Sequence, residues 1–491
     1  MSLALNGNTN GSATTTVVEE PRKLTINETF VSFVTPDKVE SRGTLLRMTR
    51  YSAVFEIYNP QMVLQVSEAL AKFNINFNGV VIYSGRAVIQ TLVDAGPKVI
   101  CEANLDEAQW TTVPLGGGAN THKQIALKFN DFLGEWQKFY TVSSEFKVVV
   151  ADMQTFLHNL QLWLNQFEIE LRLLAASERK HAEQQFLHEC GRLFVPAFDM
   201  LHERLEALSQ KIGPDLRPAH RAYIQRQLHP LMLCSPFGHR AYAKPLGYAG
   251  DYEMVNMIAM DPYQGSSLFA KMVNLWFLSQ WPSKAHRNRL AYLGAILENE
   301  TLRAHRNKRE AKIFNFACGP ALEIQNFLAK FGPSSHTSVT LSDFNQETLE
   351  RIASILNDTK SRLGRKTRIN YVKKSVYQLF KEVHKLGAEK SKYDLVYCAG
   401  LFDYLPDNTC AQLMEIFYDW LAPGGLLAVT NVVDDKPFRH MLEFILDWHL
   451  IYRNVEDTGS IFPDSIPLDV RQIKKDSTGV NIFIEARKPC E

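Results

Sequence analysis

The sequence predicts an α/β protein whose C-terminal part, residues 311–491, folds as a Rossmann-like sheet behind a small β-barrel and a helical region. Three observations lead to this prediction. Short apolar runs alternate with helical patterns after residue 310, which is typical of a doubly wound sheet. Short strand-like runs separated by turn residues fill 28–115. Apolar residues at helical spacing dominate 120–310.

The composition narrows the classes of protein to consider. A chain of 491 residues is too long for one ordinary domain. Its 54 basic and 53 acidic residues nearly cancel, so no global field would attract nucleic acid. Seven cysteines without paired spacing indicate a reducing, cytoplasmic location and no metal site. We find no apolar run of about 18 residues, so no membrane insertion is expected, and the polar residues 1–27 predict a disordered tail.

The N-terminal strands predict a barrel. Turn signals separate the runs Ala53–Tyr58, Val80–Tyr83, Ala87–Val93 and Lys98–Ala103, among them Ser84-Gly85 and a candidate hairpin at Asn78-Gly79. Several short strands at this spacing favour a small closed barrel.

This pattern resembles PilZ-like barrels, which can bind cyclic di-GMP. Binding in that family needs an R-x-x-x-R arm and a D/N-x-S-x-x-G strand. The arginines here, Arg42, Arg47 and Arg50, have a different spacing, and Ser67 lacks the neighbouring acid or amide and the glycine. A packing or interaction module is therefore the expectation, with regulation by cyclic di-GMP as the alternative.

The middle of the chain is predicted to be helical after a glycine linker at 116–118. The pattern favours a bundle or a long antiparallel pair, which is a candidate homodimer contact. Residues 234–262 differ, because glycines alternate with tyrosines and charged residues there. Such a loop often carries a site, so it is predicted to contribute Arg240 and Tyr248; the alternative is a solvated linker.

One stretch predicts half of a nucleotide-binding unit. A buried strand at 313–316 breaks at Ala317-Cys318-Gly319-Pro320, a helical pattern follows, and a second strand ends at Asp343. Small residues let a ligand approach the backbone, and the following helix presents free N–H groups. A carboxylate at a strand tip can accept both hydroxyls of a ribose. The alternative is a plain Rossmann-like turn for another ligand.

The remaining segments complete an alternating pattern. The predicted elements are a helix at Gln346–Leu356, a strand ending near Lys373, strands at Tyr393–Cys398 and Leu426–Val433, a helix at Phe438–Leu450, and a closing antiparallel hairpin from Leu468–Lys474 and Val480–Ala486.

Four motifs in this order resemble class I S-adenosylmethionine (SAM)-dependent methyltransferases over about 311–488. They are the turn N-F-A-C-G-P-A at 315–321, Asp343, YDLVYCAGLFDYLPD at 393–407 and LAPGGLLAVTN at 421–431. The usual first motif of the family is D-x-G-x-G-x-G, from which Asn315, Ala317 and Ala321 depart. The resemblance implies S-adenosyl-L-methionine as the cofactor, with the turn and Asp343 holding opposite ends of it.

The resemblance also implies roles for individual residues. Asp343 would hold the ribose hydroxyls, and Asp403 and Tyr404 would face the methyl acceptor. Cys398 has a second interpretation as a buried small residue. The other implied cofactor contacts are Ala317, Cys318 and Gly319 near the methionine part, Asn315 and Pro320 in the same turn, Phe344, Ser375 and Val376 near the adenine, and Cys398 and Gly400 bordering the site under the methyl group.

Two further runs, RAYAKPLGYAGDYEMVN at 240–256 and DWHLIYR at 447–453, resemble bacterial proteins that make 3-hydroxypalmitic acid methyl ester, a quorum signal. This resemblance implies O-methylation of an acidic, fatty-acid-like small molecule. A carboxylate is ionised at neutral pH, so it needs no base, only a cation or phenol to hold it. The candidates for that role are Arg240, Lys244, Tyr248, His449, Tyr452 and Arg453.

Two alternatives to this function stay open. An amine or hydroxyl acceptor would need a base, for which His449 and Asp403 are the candidates. A sensor or scaffold that binds SAM without catalysis is the other alternative, and the departures at Asn315, Ala317 and Ala321 support it.

Overall fold

The computed structural model describes residues 29–490 apart from 37, 59–63, 78–79, 95–97, 107–108, 111–129, 131–140 and 383–388. The predicted tail at 1–27, the Asn78-Gly79 turn and the glycine linker at 116–118 lie outside the described residues. None of the helices within the described ranges is both long and apolar enough to cross a bilayer.

The N-terminal strands form a closed barrel in the order β1-β2-β3-β6-β5-β4, as predicted. The rings of Phe33, Phe55 and Phe73 fill its interior with centroids 5.5–6.1 Å apart. The turn expected at Ser84-Gly85 is wrong, because β5 continues through it and Gly85 gives room to the Gln109 side chain. The strands are β1 Phe30–Val34, β2 Glu40–Met48, β3 Ser52–Ile57, β4 Ala69–Phe77, β5 Val80–Asp94 and β6 Val99–Leu105.

The described middle region has seven helices, and the first six share one apolar core, in which Phe146, Phe198 and Trp276 are fully buried. The seventh packs with Leu293, Ile296 and Leu297 in the core of the C-terminal sheet. The first two helices form a long hairpin. Residues 234–262 are not one loop, because Ser235 and Asp251 each cap a short helix by accepting a backbone N–H. The helices are α1 Ser144–Leu173, α2 Ala176–Ser209, α3 Arg217–Met232, α4 Pro236–Ala243, α5 Tyr252–Ala259, α6 Leu268–Ser279 and α7 Trp281–Arg306.

The C-terminal part is a seven-stranded sheet in the order β12-β13-β11-β10-β7-β8-β9. The first five of its strands in the chain are parallel, and β13 is antiparallel to both neighbours. This antiparallel strand confirms the predicted hairpin and distinguishes the sheet from the parallel dinucleotide fold. The strands are β7 Ala311–Phe316, β8 Thr337–Asp343, β9 Arg368–Lys373, β10 Tyr393–Cys398, β11 Leu421–Val432, β12 Arg471–Lys475 and β13 Asn481–Arg487.

The helices of this part follow the predicted alternation with one correction. The helix expected at Phe438–Leu450 ends at Ile445, because Asp447 has a left-handed backbone with φ 47°. The chain then runs without regular structure across the barrel. The helices are α8 Leu322–Lys330, α9 Gln346–Leu363, α10 Val376–Glu382, α11 Asp407–Trp420 and α12 Arg439–Ile445.

A short barrel segment, residues 64–69, joins the barrel to the sheet. The Val66 N–H donates to the Tyr404 carbonyl at 3.3 Å, and the Ala69 N–H donates to the Gly247 carbonyl at 2.7 Å. The Ser67 hydroxyl donates to the His449 carbonyl at 2.8 Å. The barrel therefore packs directly against the edge of the sheet where the strands β7, β8 and β10 end.

A buried ion cluster fixes the same joint. The Arg221 guanidinium donates to the Asp447 carboxylate at 2.6 Å, and Arg86 of the barrel lies 3.9 Å from the other oxygen of that carboxylate. These cations hold the pKa of Asp447 well below its usual range, although burial opposes the shift. The helical region, the barrel and the segment after α12 thus meet at one carboxylate.

Candidate functional site

A cavity of about 190 Å³ lies at the carboxyl ends of β7, β8 and β10, and we call it the central cavity. The sheet, α7, the 248–252 turn and residues Gln65 and Val66 of the barrel line it. In open α/β sheets the crevice outside the strand ends, where the strand order reverses, is the usual ligand site. That reversal falls between β7 and β10 here.

The bend after β7 is left-handed at every second residue. Ala317, Gly319 and Ala321 have φ of 55°, 50° and 47°. These are the three positions at which the first methyltransferase motif has glycine, and each alanine costs about 1–2 kcal/mol in this conformation. No atom lies within 4 Å of where a Gly319 Cβ would stand, so the bend leaves open space toward the cavity. We call this bend, residues 317–321, the cradle.

Asp343 lies beside this cradle. Its Oδ2 accepts the Gly319 N–H at 3.0 Å, and its Oδ1 accepts the Asn345 N–H at 2.9 Å. Burial raises the pKa of Asp343 to about 6, although these N–H groups oppose the shift. Each oxygen keeps a lone pair for a further donor. The bend and the carboxylate are in direct contact, and the expectation that they hold opposite ends of one cofactor stays a prediction.

A buried carboxylate supports the bend from α8. Glu323 Oε1 accepts the Asn315 side-chain N–H at 3.1 Å and the Tyr397 hydroxyl at 2.7 Å. Burial raises the pKa of Glu323. Asn315 stands where the family motif has an acid, so Glu323 brings a carboxyl group to the same wall from another element.

The structure brings together most of the predicted cofactor contacts. Asn315, Ala317, Cys318, Gly319, Pro320, Asp343, Phe344 and Gly400 all line the central cavity.

Three predicted cofactor contacts lie elsewhere. Ser375 caps α10, with its hydroxyl accepting the Gln378 N–H at 3.2 Å, and Val376 is buried beside it. Cys398 is fully buried in the core of the sheet, in line with its second interpretation. None of the three lines the cavity.

The predicted catalytic residues divide into two pairs. Tyr248 and Tyr404 line the central cavity, and burial raises the pKa of both phenols. The Tyr404 hydroxyl accepts the indole N–H of Trp448 at 3.0 Å. The Tyr248 ring packs edge-on against Phe344, with centroids 5.0 Å apart. Both phenols are therefore placed to contact a ligand.

Arg240 and His449 do not reach the cavity. The Arg240 Nε–H donates to the Asp251 carboxylate at 2.8 Å, which steadies the cap of α5. The His449 Nε2 lies 3.0 Å from the side-chain nitrogen of Asn104 in the barrel. Burial lowers the pKa of His449 to about 4. Both residues therefore stabilise the fold around the cavity and are not placed to contact a ligand inside it.

The other candidates for holding the acceptor, two cations and a phenol, also stabilise the fold instead of lining the cavity. Lys244 Nζ donates to the carbonyls of Ala241 and Leu446, and burial lowers its pKa. Arg453 is buried among the Asp407 carboxylate and the carbonyls of Phe402 and Leu405. Tyr452 is buried and does not line the cavity.

Seven residues of α7 line the cavity, and none of them was predicted from the sequence; Arg289 and His286 are the two that carry a charged or titratable group. The Arg289 guanidinium lies against Gly400, 3.1 Å from where a Cβ of that glycine would stand, and Gly400 has φ 87°. Arg289 also donates to His286 Nδ1 at 2.6 Å. Their spacing of three residues on a helix was the available signal, because it puts both side chains on one face.

The remaining lining combines one carboxylate with a large apolar wall. Asp403 accepts the Val432 N–H at 2.9 Å, and burial raises its pKa to about 6. Across the described residues, no cluster of three His, Cys, Asp or Glu side chains could hold a metal ion. The apolar wall consists of Phe237, Val255, Ile258, Phe277, Leu290, Phe438, Leu442 and Leu450.

No family model and no curated protein matches the chain. Among solved structures it is similar to a possible exported protein from Bordetella parapertussis, with 18% identity and a TM-score of 0.42 over 64% of this chain and 100% of that one. Magnesium protoporphyrin IX methyltransferase from Synechocystis PCC 6803 with bound SAH has 12% identity and a TM-score of 0.32 over 55% and 99%. An arsenic (III) S-adenosylmethionine methyltransferase from Chlamydomonas reinhardtii has 16% identity and a TM-score of 0.27 over 37% of this chain and 64% of that one.

Proposed function

We propose that the protein is a SAM-dependent methyltransferase that O-methylates the carboxylate of an acidic, fatty-acid-like small molecule. The observation that carries the proposal is the joint placement of the 317–321 bend, Asp343 and the apolar wall around one cavity. The bend and the carboxylate suit a nucleoside ligand, and the apolar wall suits a hydrocarbon chain.

The residues of the cradle fit S-adenosyl-L-methionine. Gly319 leaves open space where any side chain would intrude, and Asp343 offers free lone pairs for ribose hydroxyls. Phe344 supplies an aromatic face beside them. When bound, the cofactor supplies an electrophilic methyl group on a sulfonium.

The protein itself would contribute alignment and exclusion of water. The wall segments from the barrel, α6 and α12 enclose the acceptor side, so an in-line approach can be fixed in a dry site. Attack by a carboxylate forms the ester C–O bond while the methyl–sulfur bond breaks, and no proton has to move. This fits the position of His449 outside the cavity.

Methylation of an amine or hydroxyl acceptor is the second candidate function, and the position of Asp403 favours it. Its carboxylate lines the cavity, and a pKa of about 6 suits a group that accepts a proton near neutral pH. The noncatalytic alternative has less support, because the bend keeps its left-handed shape with alanines at 317 and 321. The cytoplasmic location, the PilZ likeness of the barrel and a homodimer through the helical region stay predictions.

Transfer of labelled methyl groups tests the proposal. The full chain would be incubated with methyl-labelled SAM and fatty acids, including 3-hydroxypalmitate, with dodecylamine and dodecanol as competing acceptors. We expect a neutral, base-labile labelled product from the fatty acids, because methyl esters carry no charge and hydrolyse in alkali. Label only in the amine or the alcohol would favour the second candidate, and no label in any acceptor would contradict both. Asp343→Ala is the matched inactive control.

A further inference from the structure

Arg289 is the one lysine or arginine side chain in the cavity lining within the described part of the chain. Among the described residues, its only hydrogen-bond partner is His286 Nδ1, and its guanidinium forms no ion pair with a carboxylate there. The side chain is partly buried. A guanidinium has five N–H donors in a planar fork that suits a carboxylate, so most of its donors remain available.

His286 adds a second unused donor to the same wall. The residue is 8% exposed, and its Nδ1 accepts a hydrogen bond from Arg289. The proton of the neutral ring therefore stands on Nε2, which is buried and has no partner among the described residues. Burial, Arg289 and Arg287 all hold the pKa of His286 well below its usual range. A buried N–H without an acceptor is rare in native proteins and calls for an explanation.

Gly400 places this pair next to the cradle. It follows β10, whose last residue, Cys398, is paired with Phe316 immediately before the bend. A Cβ at Gly400 would stand 3.1 Å from the Arg289 guanidinium, so the cation lies closely against the end of β10 and would have to shift to admit a side chain there. The donors thus lie between the cradle on one side and the apolar wall on the other.

We propose that Arg289 and His286 form a carboxylate-positioning pair that binds the acid group of the acceptor while its hydrocarbon chain lies along the apolar wall. This inference rests on the proposed function for its role in catalysis, but the binding of an acid stands on the cavity alone. The pair assigns the acceptor class as an amphipathic monocarboxylate.

Two carboxyl groups in the cavity interact electrostatically with the Arg289 guanidinium, which opposes the rise in pKa that burial causes in each of them. Asp403 and Glu323 both line the cavity, and Glu323 is already bonded to Asn315 and Tyr397. Asp403 accepts the Val432 N–H and forms no ion pair with Arg289. A cationic amphiphile would therefore bind through Asp403, or through Asp343 when no cofactor is present, and an anionic one through Arg289. A matched set of ligands separates the two kinds of site.

Binding of dodecanoate, dodecanol and dodecylamine to the full chain, measured by calorimetry without cofactor, tests the pair. Arg289→Gln should weaken dodecanoate binding by about tenfold to a hundredfold and leave dodecanol unchanged, because only a charged hydrogen-bond partner is lost. Gly400→Ala should weaken dodecanoate by displacing the guanidinium without removing it. Arg306→Gln, at the exposed end of the same helix, is the control and should bind as the wild type does.

Equal dodecanoate affinity in Arg289→Gln and the wild type would overturn the proposal, as would a wild type that binds dodecylamine but no dodecanoate. Thermal melting of each variant shows whether it is folded. If Arg289→Gln does not fold, the dodecanoate affinity of Gly400→Ala tests the proposal in its place. Binding of S-adenosylhomocysteine to the same preparations separates the two proposals. Its failure in a wild type that still binds dodecanoate would remove the methyltransferase assignment and keep the acid site.

Discussion

Replacement of Asp343 should remove most of the affinity for the cofactor. Its two oxygens each keep a lone pair beside the open space at Gly319, so the carboxylate can accept two charge-assisted hydrogen bonds. Hydrogen bonds to charged groups contribute about 1.5–3 kcal/mol each. Asp343→Ala should therefore raise the Kd for SAM by at least about a hundredfold, since about 1.4 kcal/mol is a factor of ten.

The pH dependence of the affinity gives a sharper form of this prediction. Burial raises the pKa of Asp343 to about 6 in the free protein, and protonation removes the charge that accepts the ribose hydroxyls. Affinity should be constant above about pH 7 and fall as the pH decreases through 6, by about tenfold at pH about 5. Equilibrium dialysis with labelled SAM at several pH values measures this slope.

Two variants show whether the slope belongs to Asp343. Asp343→Asn should bind weakly and lose the pH dependence between about 5 and 7. Asp403→Asn should keep the slope, although Asp403 has a similar pKa of about 6 in the same cavity. A slope that persists in Asp343→Asn, or wild-type affinity in Asp343→Ala, would refute the assignment of the cradle to SAM.

Three other substitutions test the surroundings of the site. Asp447→Ala should lower the free energy of unfolding by about 3–5 kcal/mol in urea titration, whereas Asp152→Ala, in an exposed ion pair, should cost under about 1 kcal/mol. Gly319→Ala should cost about 1–2 kcal/mol and also abolish SAM binding, whereas Gly364→Ala, with a similar φ on an open surface, should lower stability alone. His449→Gln should lower the melting temperature but leave the pH profile of methyl transfer unchanged; a shifted profile would contradict its position outside the cavity.

The cofactor side of the site could be predicted because its signals are local. A strand, a small-residue bend and an acid at the next strand tip lie within about 30 residues of sequence, and β7 and β8 are neighbours in a parallel sheet. The backbone makes the bend and Asp343 meet, whatever the rest of the chain does. The predicted contacts farther along, Ser375 and Cys398, depend on how far each strand extends, and there the prediction was less accurate.

The acceptor side could not be predicted in the same way. Arg289 and His286 reach the cavity only because one face of α7 packs on the sheet, and an amphipathic pattern does not say which neighbour covers which face. Arg240, Lys244, His449 and Arg453 stand out in sequence as charged or titratable groups in distinctive motifs. Their bonds to Asp251, to backbone carbonyls and to the barrel explain why those motifs hold such residues without contacting a ligand.

The contact of the barrel segment with the strand ends bears on how the protein is made in the cell. Ser67 and the backbone of His449 are bonded across 382 residues of chain. At a ribosome speed of about 5–20 residues per second, the early partner waits about 20 to 75 s for the late one. During that interval the central cavity is incomplete and its apolar lining is exposed in the nascent chain. Translation pauses and holdase chaperones should therefore affect the yield of folded protein more than they do for a protein with short-range contacts.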